Sequence, residues 1–144
     1  MIIIAHRGNM SGPNPQMENS PEYIDSAIAA GYDVEVDIWY TDGFYLGHDQ
    51  PQYKVDLAWM LQRKTKIWFH CKNVDAVYKM RKHELHYFWH ENDLMTLTSQ
   101  GHMWVYPGKQ PIKRSIAVMP EIHDEDVSRC FGVCTDYVTR YKIV

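Results

Sequence analysis

Short apolar runs separated by brief polar stretches recur along the chain from its first residues to its last. Ile2-Ile3-Ile4-Ala5 is wholly apolar and β-branched, the pattern of a strand buried on both faces in a parallel sheet. Residues 33–40 alternate instead. Val34, Val36 and Ile38 share one face, and Glu35, Asp37 and Trp39 share the other. Asp42-Gly43 signals a tight turn, so Phe44-Tyr45-Leu46 returns as a short arm and brings Gly47-His48-Asp49 back toward the ends of the first two strands. Lys66 to Lys72 predicts a third main strand. Further short runs lie at 87–89, 95–98, 103–106, 116–119 and 133–135, which makes about eight strands. Helical spacing is clearest early. Ser20 is an N-cap with Pro21 at the first helical position, Ile24, Ala27 and Ile28 form a stripe, and Gly31 ends the helix. Residues 55–62, with Trp59, and 73–81, with Val74, Val77 and Tyr78, predict two more. Beyond residue 90 the gaps are too short for full helices, apart from a turn at 124–129.

Composition narrows the class. At 45% hydrophobic residues with five tryptophans, 144 residues supply the core of a single soluble domain. A net charge of −3 provides no basic field and argues against nucleic acid as a partner. No long apolar segment predicts membrane insertion or a secretion signal. Three cysteines, an odd number, point to reduced thiols and a cytoplasmic setting, with Cys130 and Cys134 as packing residues. The Gly-, Pro- and Asn-rich stretch at 9–16 is either a lid above the first strand or a surface connection.

The chemistry concentrates in the first half. His6 and Arg7 end the first strand, Glu35 and Asp37 share a strand face about 6–7 Å apart, and His48 follows the hairpin. Taken alone, the two acids are what the polar face of any half-exposed strand carries. With two histidines and an arginine beside them they become the constellation that metal-assisted phosphodiester cleavage requires: acids for a divalent ion, a fixed cation for phosphate, and imidazoles to move protons.

These residues resemble the glycerophosphodiester phosphodiesterases, a family within the phospholipase-C-like phosphodiesterases. The resemblance rests on His6-Arg7-Gly8, on Met17-Glu18-Asn19-Ser20 in place of Pro-Glu-Asn-Thr, on Glu35-Val36-Asp37, and on Thr41-Asp42-Gly43 through His48-Asp49. It implies a TIM-type (β/α)8 barrel, with Gly132 to Asp136 resembling the closing strand. Such barrels take about 250 residues. The expectation is therefore a single domain over residues 1–144, an α/β barrel reduced by loss of outer helices in its second half, with homodimerisation as one way to cover exposed strand backs.

By the same resemblance, His6 and His48 are the catalytic acid–base pair, and Glu35 and Asp37 hold a divalent ion (Mg²⁺, Ca²⁺ or Mn²⁺). Arg7 and Lys72 bind phosphate, Glu18 and Asn19 orient Arg7 and the metal shell, and Trp39 and Tyr106 shape the rim. The chain departs from the family at His70, which stands where a third acidic ligand is expected. His70 is either a neutral metal ligand or an interior packing residue. His90, Glu91 and Glu121, also at strand ends, are further candidate pocket residues, whereas His83, His86, His102 and His123 read as structural. The implied activity is hydrolysis of a small glycerophosphodiester-like substrate. A cyclising lipid phosphodiesterase and a non-catalytic phosphate-binding domain are the alternatives.

Overall fold

The apolar run that opens the chain lies in the middle of the sheet. In this computed structural model, which describes residues 1–142, β1 (Ile2–His6) runs parallel to β2 (Asp33–Tyr40) on one side. The intervening helix α1 (Pro21–Ala29) is capped by the Ser20 side chain and buries Ile24 and Ala27. A hairpin follows, β3 (Phe44–Leu46) and β4 (Tyr53–Val55), and then α2 (Leu57–Gln62), which starts at Leu57 because the Asp56 carboxylate accepts from Trp59 N at 2.8 Å. Next come β5 (Ile67–Cys71), α3 (Val74–Met80), β6 (Tyr87–Phe88), β7 (Met95–Leu97), β8 (Met103–Val105), β9 (Ile116–Val118) and β10 (Gly132–Thr135). Short 3₁₀ turns occupy Pro120–Ile122 and Val138–Tyr141.

The strands form one mixed α/β sheet. Its parallel part runs β6-β5-β2-β1-β10-β9-β8, and β7 joins the end antiparallel to β8. Beside β2, β1 pairs with residues 33–35 and β3 with residues 38–40, so the hairpin continues where β1 stops. That placement carries the residues after Leu46 back over His6.

Two apolar clusters divide the interior. Val34, Val36, Ile38 and Phe69 pack outward against Ile24 and Ala27 of α1 and Ala76 and Met80 of α3. Ile4, Trp68, Phe88, Trp104, Ile116 and Cys134 form a second cluster on the opposite sheet face. The ends of the parallel arc meet there through side chains, with Phe88 of β6 and Trp104 of β8 at 4.6 Å between ring centroids. Ser99 N donates to Tyr87 O at 2.7 Å and Thr96 Oγ1 to Trp89 O at 3.1 Å, yet no strand ladder joins β6 to β7 or β8 among the described residues. The sheet is therefore not closed by backbone pairing.

The helical segments expected at 55–62 and 73–81 form slightly shorter helices, while 124–129 is not helical. No helix among the described residues is long and apolar enough to cross a membrane. All three cysteine thiols are free.

Candidate active site

The sharp turn after β1 delivers the first two site residues. Arg7 (φ 53°) and Gly8 (φ 88°) are both left-handed. A Cβ on Gly8 would stand 2.8 Å from Tyr23 Cδ1, so this close approach to α1 needs glycine. Arg7 N donates to Glu35 O at 2.9 Å and Asn19 N to Arg7 O at 3.1 Å, which fixes the turn from both sides.

In the parallel register of β2 and β5, Glu35 lies opposite Trp68 and Asp37 opposite His70. Both acids and the histidine therefore share the sheet face opposite the helices. Glu35, Asp37 and His70 each offer a ligand atom within 4.8 Å of the others. His70 Nδ1 is 3.3 Å from Asp37 Oδ1 and 3.7 Å from Glu35 Oε1. Its ring stacks with those of Phe88 (4.9 Å) and His90 (4.8 Å). Burial disfavours the His70 imidazolium, but Asp37 and Glu35 outweigh it and raise the pKa.

Asp37, wholly buried, is the hub. Its Oδ2 accepts from Asn19 Nδ2 at 2.9 Å and lies 3.1 Å from Arg7 Nε, without hydrogen-bond alignment. Asn19 Oδ1 accepts from Asp37 N at 2.9 Å, and Lys72 Nζ is 3.7 Å from Asp37 Oδ1. Burial works against the Asp37 carboxylate, but His70, Arg7 and Lys72 hold it well below the usual carboxylate range. Glu18 secures Arg7 from the other side, 3.2 Å from Nη1.

The donor set fits a divalent metal ion. Glu35 Oε2 and Asp37 Oδ1 are buried and accept no hydrogen bond among the described residues. Buried carboxylate oxygens that accept no hydrogen bond are costly even beside His6, His70 and Lys72, and a divalent cation suits their chemistry. With His70 Nδ1 facing both acids, His70→Ala is expected to weaken divalent binding roughly 10–100-fold. His70→Glu adds a charge at the same position and is expected to strengthen binding of hard ions. Calorimetric metal titrations with melting curves check both. A folded His70→Ala protein with unchanged affinity would show that His70 is packing only.

His6 is held by a residue far away in the chain. Its Nδ1 lies 2.8 Å from Asp136 Oδ1, which also accepts from Asn9 Nδ2 at 2.8 Å, and Nε2 is 3.9 Å from Glu35 Oε2. Asn9 further donates to Glu18 Oε1 at 2.9 Å, tying the His6 and Arg7 supports together. Burial lowers the His6 pKa, yet the Asp136 hydrogen bond and the Glu35 charge raise it overall. His48 is more exposed and pairs with Asp49 at 2.7 Å. The loop that carries it turns at Gly47, where a Cβ would run into the Gln50 carbonyl oxygen.

His6, Arg7, Glu35, His48, His70, Lys72 and Tyr106 line one cavity of about 740 Å³. Glu18 and Asn19 line an adjoining one of about 400 Å³, which His6, Arg7 and His48 also border. Trp39 lines neither. Its indole Nε1 donates to Gly47 O at 2.6 Å, so it secures the His48 loop instead of forming the rim. Trp39→Phe is accordingly expected to lower turnover by roughly 10–100-fold through a displaced His48, while metal affinity stays unchanged. Paired kinetics and metal titration check this. Glu121 accepts from Thr135 Oγ1 at 2.7 Å and holds the last strand end outside the cavity.

Asp136 and Asn9 are the site neighbours to which sequence reasoning assigned no role, whereas His90 and Glu91, read as candidate pocket residues, do line the wider cavity. His90 packs against Tyr106 with ring centroids 4.0 Å apart and the planes tilted by 35°, and burial, with the nearby His70 and Lys72 charges, pushes its pKa down to about 4. Comparison with protein-family models, with curated proteins and with solved structures finds no match to this chain.

Proposed function

We propose that the chain is a metal-dependent phosphodiesterase acting on a glycerophosphodiester-like substrate, built as a reduced (β/α)8 barrel and working in the cytoplasm. One observation carries the reading. Glu35 and Asp37 keep buried oxygens free of hydrogen bonds beside His70, and His6, Arg7 and Lys72 surround the same acids.

Glu35, Asp37 and His70 would hold Mg²⁺, Mn²⁺ or Ca²⁺. Such an ion supplies Lewis-acid polarisation of a phosphate oxygen. Arg7, a planar cation anchored by Glu18 and Asp37, suits the remaining phosphate charge, and Lys72 adds a second positive group. Asp136 engages His6 Nδ1 and so leaves Nε2 to face the Glu35 side. One of His6 and His48 takes the proton of the attacking hydroxyl, from water or from the substrate itself, and the other protonates the departing alkoxide.

The test is a panel of glycerophosphodiesters assayed with added Mg²⁺, Mn²⁺ or Ca²⁺ and after chelation, with products identified by phosphorus NMR. Metal-dependent release of one alcohol supports the reading, and a cyclic product would assign the nucleophile to the substrate's own hydroxyl. Turnover of none of the panel, or full activity after exhaustive chelation, would count against it.

A further inference from the structure

Two residues that line the wide cavity carry buried polar atoms with no hydrogen-bond partner among the described residues, His90 Nδ1 and the Tyr106 hydroxyl. Their rings pack together with 4.0 Å between centroids, and His90 in turn stacks with His70 at 4.8 Å. The two orphaned atoms thus form one feature beside the candidate metal ligands. The Trp104 indole approaches the Tyr106 oxygen but can only donate, so the hydroxyl proton is left without an acceptor. Two such groups cost stability while they stay unpaired, and a ligand atom that pairs with both removes that cost.

β1 is the middle strand of the parallel arc, and β6 and β8 are its ends, which meet through Phe88 and Trp104. The curled sheet therefore sets His90, just after β6, and Tyr106, just after β8, across the cavity from His6 and Arg7. A phosphodiester has two non-bridging oxygens, and both gain negative charge as the five-coordinate state forms. An oxygen turned toward the β6–β8 wall offers lone pairs only. It accepts the Tyr106 hydroxyl proton and selects the His90 tautomer with hydrogen on Nδ1. Neither group needs a positive charge to donate, so this wall adds no repulsion against Arg7, Lys72 or a divalent ion. Resting on the phosphodiesterase reading above, we infer that His90 and Tyr106 are catalytic hydrogen-bond donors to a non-bridging phosphate oxygen, forming an oxyanion-binding wall opposite Arg7.

Tyr106→Phe and His90→Phe test this, because each keeps an aromatic ring in the stack and deletes the orphaned atom. With bis(p-nitrophenyl) phosphate and saturating Mg²⁺, each is expected to lower kcat roughly 10²-fold with a far smaller change in KM. Orthovanadate, which mimics the five-coordinate state, should bind the Mg²⁺-loaded variants at least about tenfold more weakly than wild type. Calorimetric Mg²⁺ affinity without substrate should stay at the wild-type value. The melting temperature of the ligand-free protein should hold or rise, since each substitution removes an unpaired buried polar group. Wild-type kcat and orthovanadate affinity in either folded variant would overturn the inference. So would a Mg²⁺ affinity that falls in step with kcat, which would make the pair supports of the metal ligands instead. If the wild-type protein hydrolyses no diester, the phosphodiesterase reading fails, and orthovanadate titration decides the donor pair by itself. Binding about tenfold weaker in the variants upholds it, and equal or absent binding overturns it. Should one variant fail to fold, the other decides.

Discussion

Replacing Asp37 by alanine is expected to destabilise the metal-free protein by about 3–5 kcal/mol and to abolish divalent metal binding. The size follows from what Asp37 holds. Its carboxylate lies 3.1 Å from Arg7 Nε, 3.3 Å from His70 Nδ1 and 3.7 Å from Lys72 Nζ, and it accepts the Asn19 amide at 2.9 Å. Arg7 and His70 are themselves mostly enclosed, so removing the acid strands cationic groups that water cannot reach well. Asp37→Asn keeps the shape and hydrogen-bonding capacity and should cost less stability, but it too removes the charge a divalent ion needs. Urea unfolding and calorimetric Mg²⁺ titration of both variants check this. A wild-type unfolding midpoint together with wild-type metal affinity in Asp37→Ala would remove Asp37 from the centre of the site.

Much of this centre was legible in the sequence because it is local. An all-apolar opening run and an alternating second strand are unambiguous patterns, and they place His6, Arg7, Glu35 and Asp37 at one end of neighbouring strands. The hairpin after Tyr40 was equally clear from Asp42-Gly43, although its loop is three residues long, between the paired Tyr40 and Phe44, and neither Asp42 nor Gly43 is left-handed.

What escaped is non-local or too short to have a period. Asp136 supports His6 across 130 positions of sequence, and nothing near either residue announces the pairing. Its one signal was position, directly after the last strand. β4 is three residues long, so alternation cannot mark it, and although the run at 95–98 does form β7, its antiparallel direction depends on its pairing with β8. Trp39 shows a different limit. Strand periodicity assigns a face, but the side chain near a strand's end can reach backbone beyond it, and here the indole bonds the Gly47 carbonyl. His70 looked like a loss of charge at a ligand position. Its placement 3.3 Å and 3.7 Å from the two acids, stacked with Phe88 and His90, came only from the register of β5 on β2.

His6→Ala is expected to lower turnover by roughly 10²–10⁴-fold without unfolding the protein. His6 caps the strand end and faces Glu35 with Nε2, while Asp136 holds Nδ1 and thereby sets the tautomer and ring direction. Asp136→Asn preserves size and hydrogen bonding but removes the orienting charge, so it should reduce the rate less and shift the pH profile. Stability supplies an independent check in the metal-free protein. The folded His6 pKa is raised above 6.5, because Asp136 and Glu35 together outweigh the opposing effect of burial. A raised folded pKa means that the folded state binds the proton more tightly than the unfolded chain. The stabilisation is thus fully present below the unfolded value of about 6.5 and disappears as pH rises through the folded value. The stability gap between wild type and His6→Ala should therefore be widest in mild acid and close toward alkaline pH, and Asp136→Asn should narrow it. Urea midpoints measured across that range decide the matter. A gap that widens with rising pH, or a folded His6→Ala protein with near-normal turnover, would show that His6 is neither held by Asp136 in this way nor needed for proton transfer.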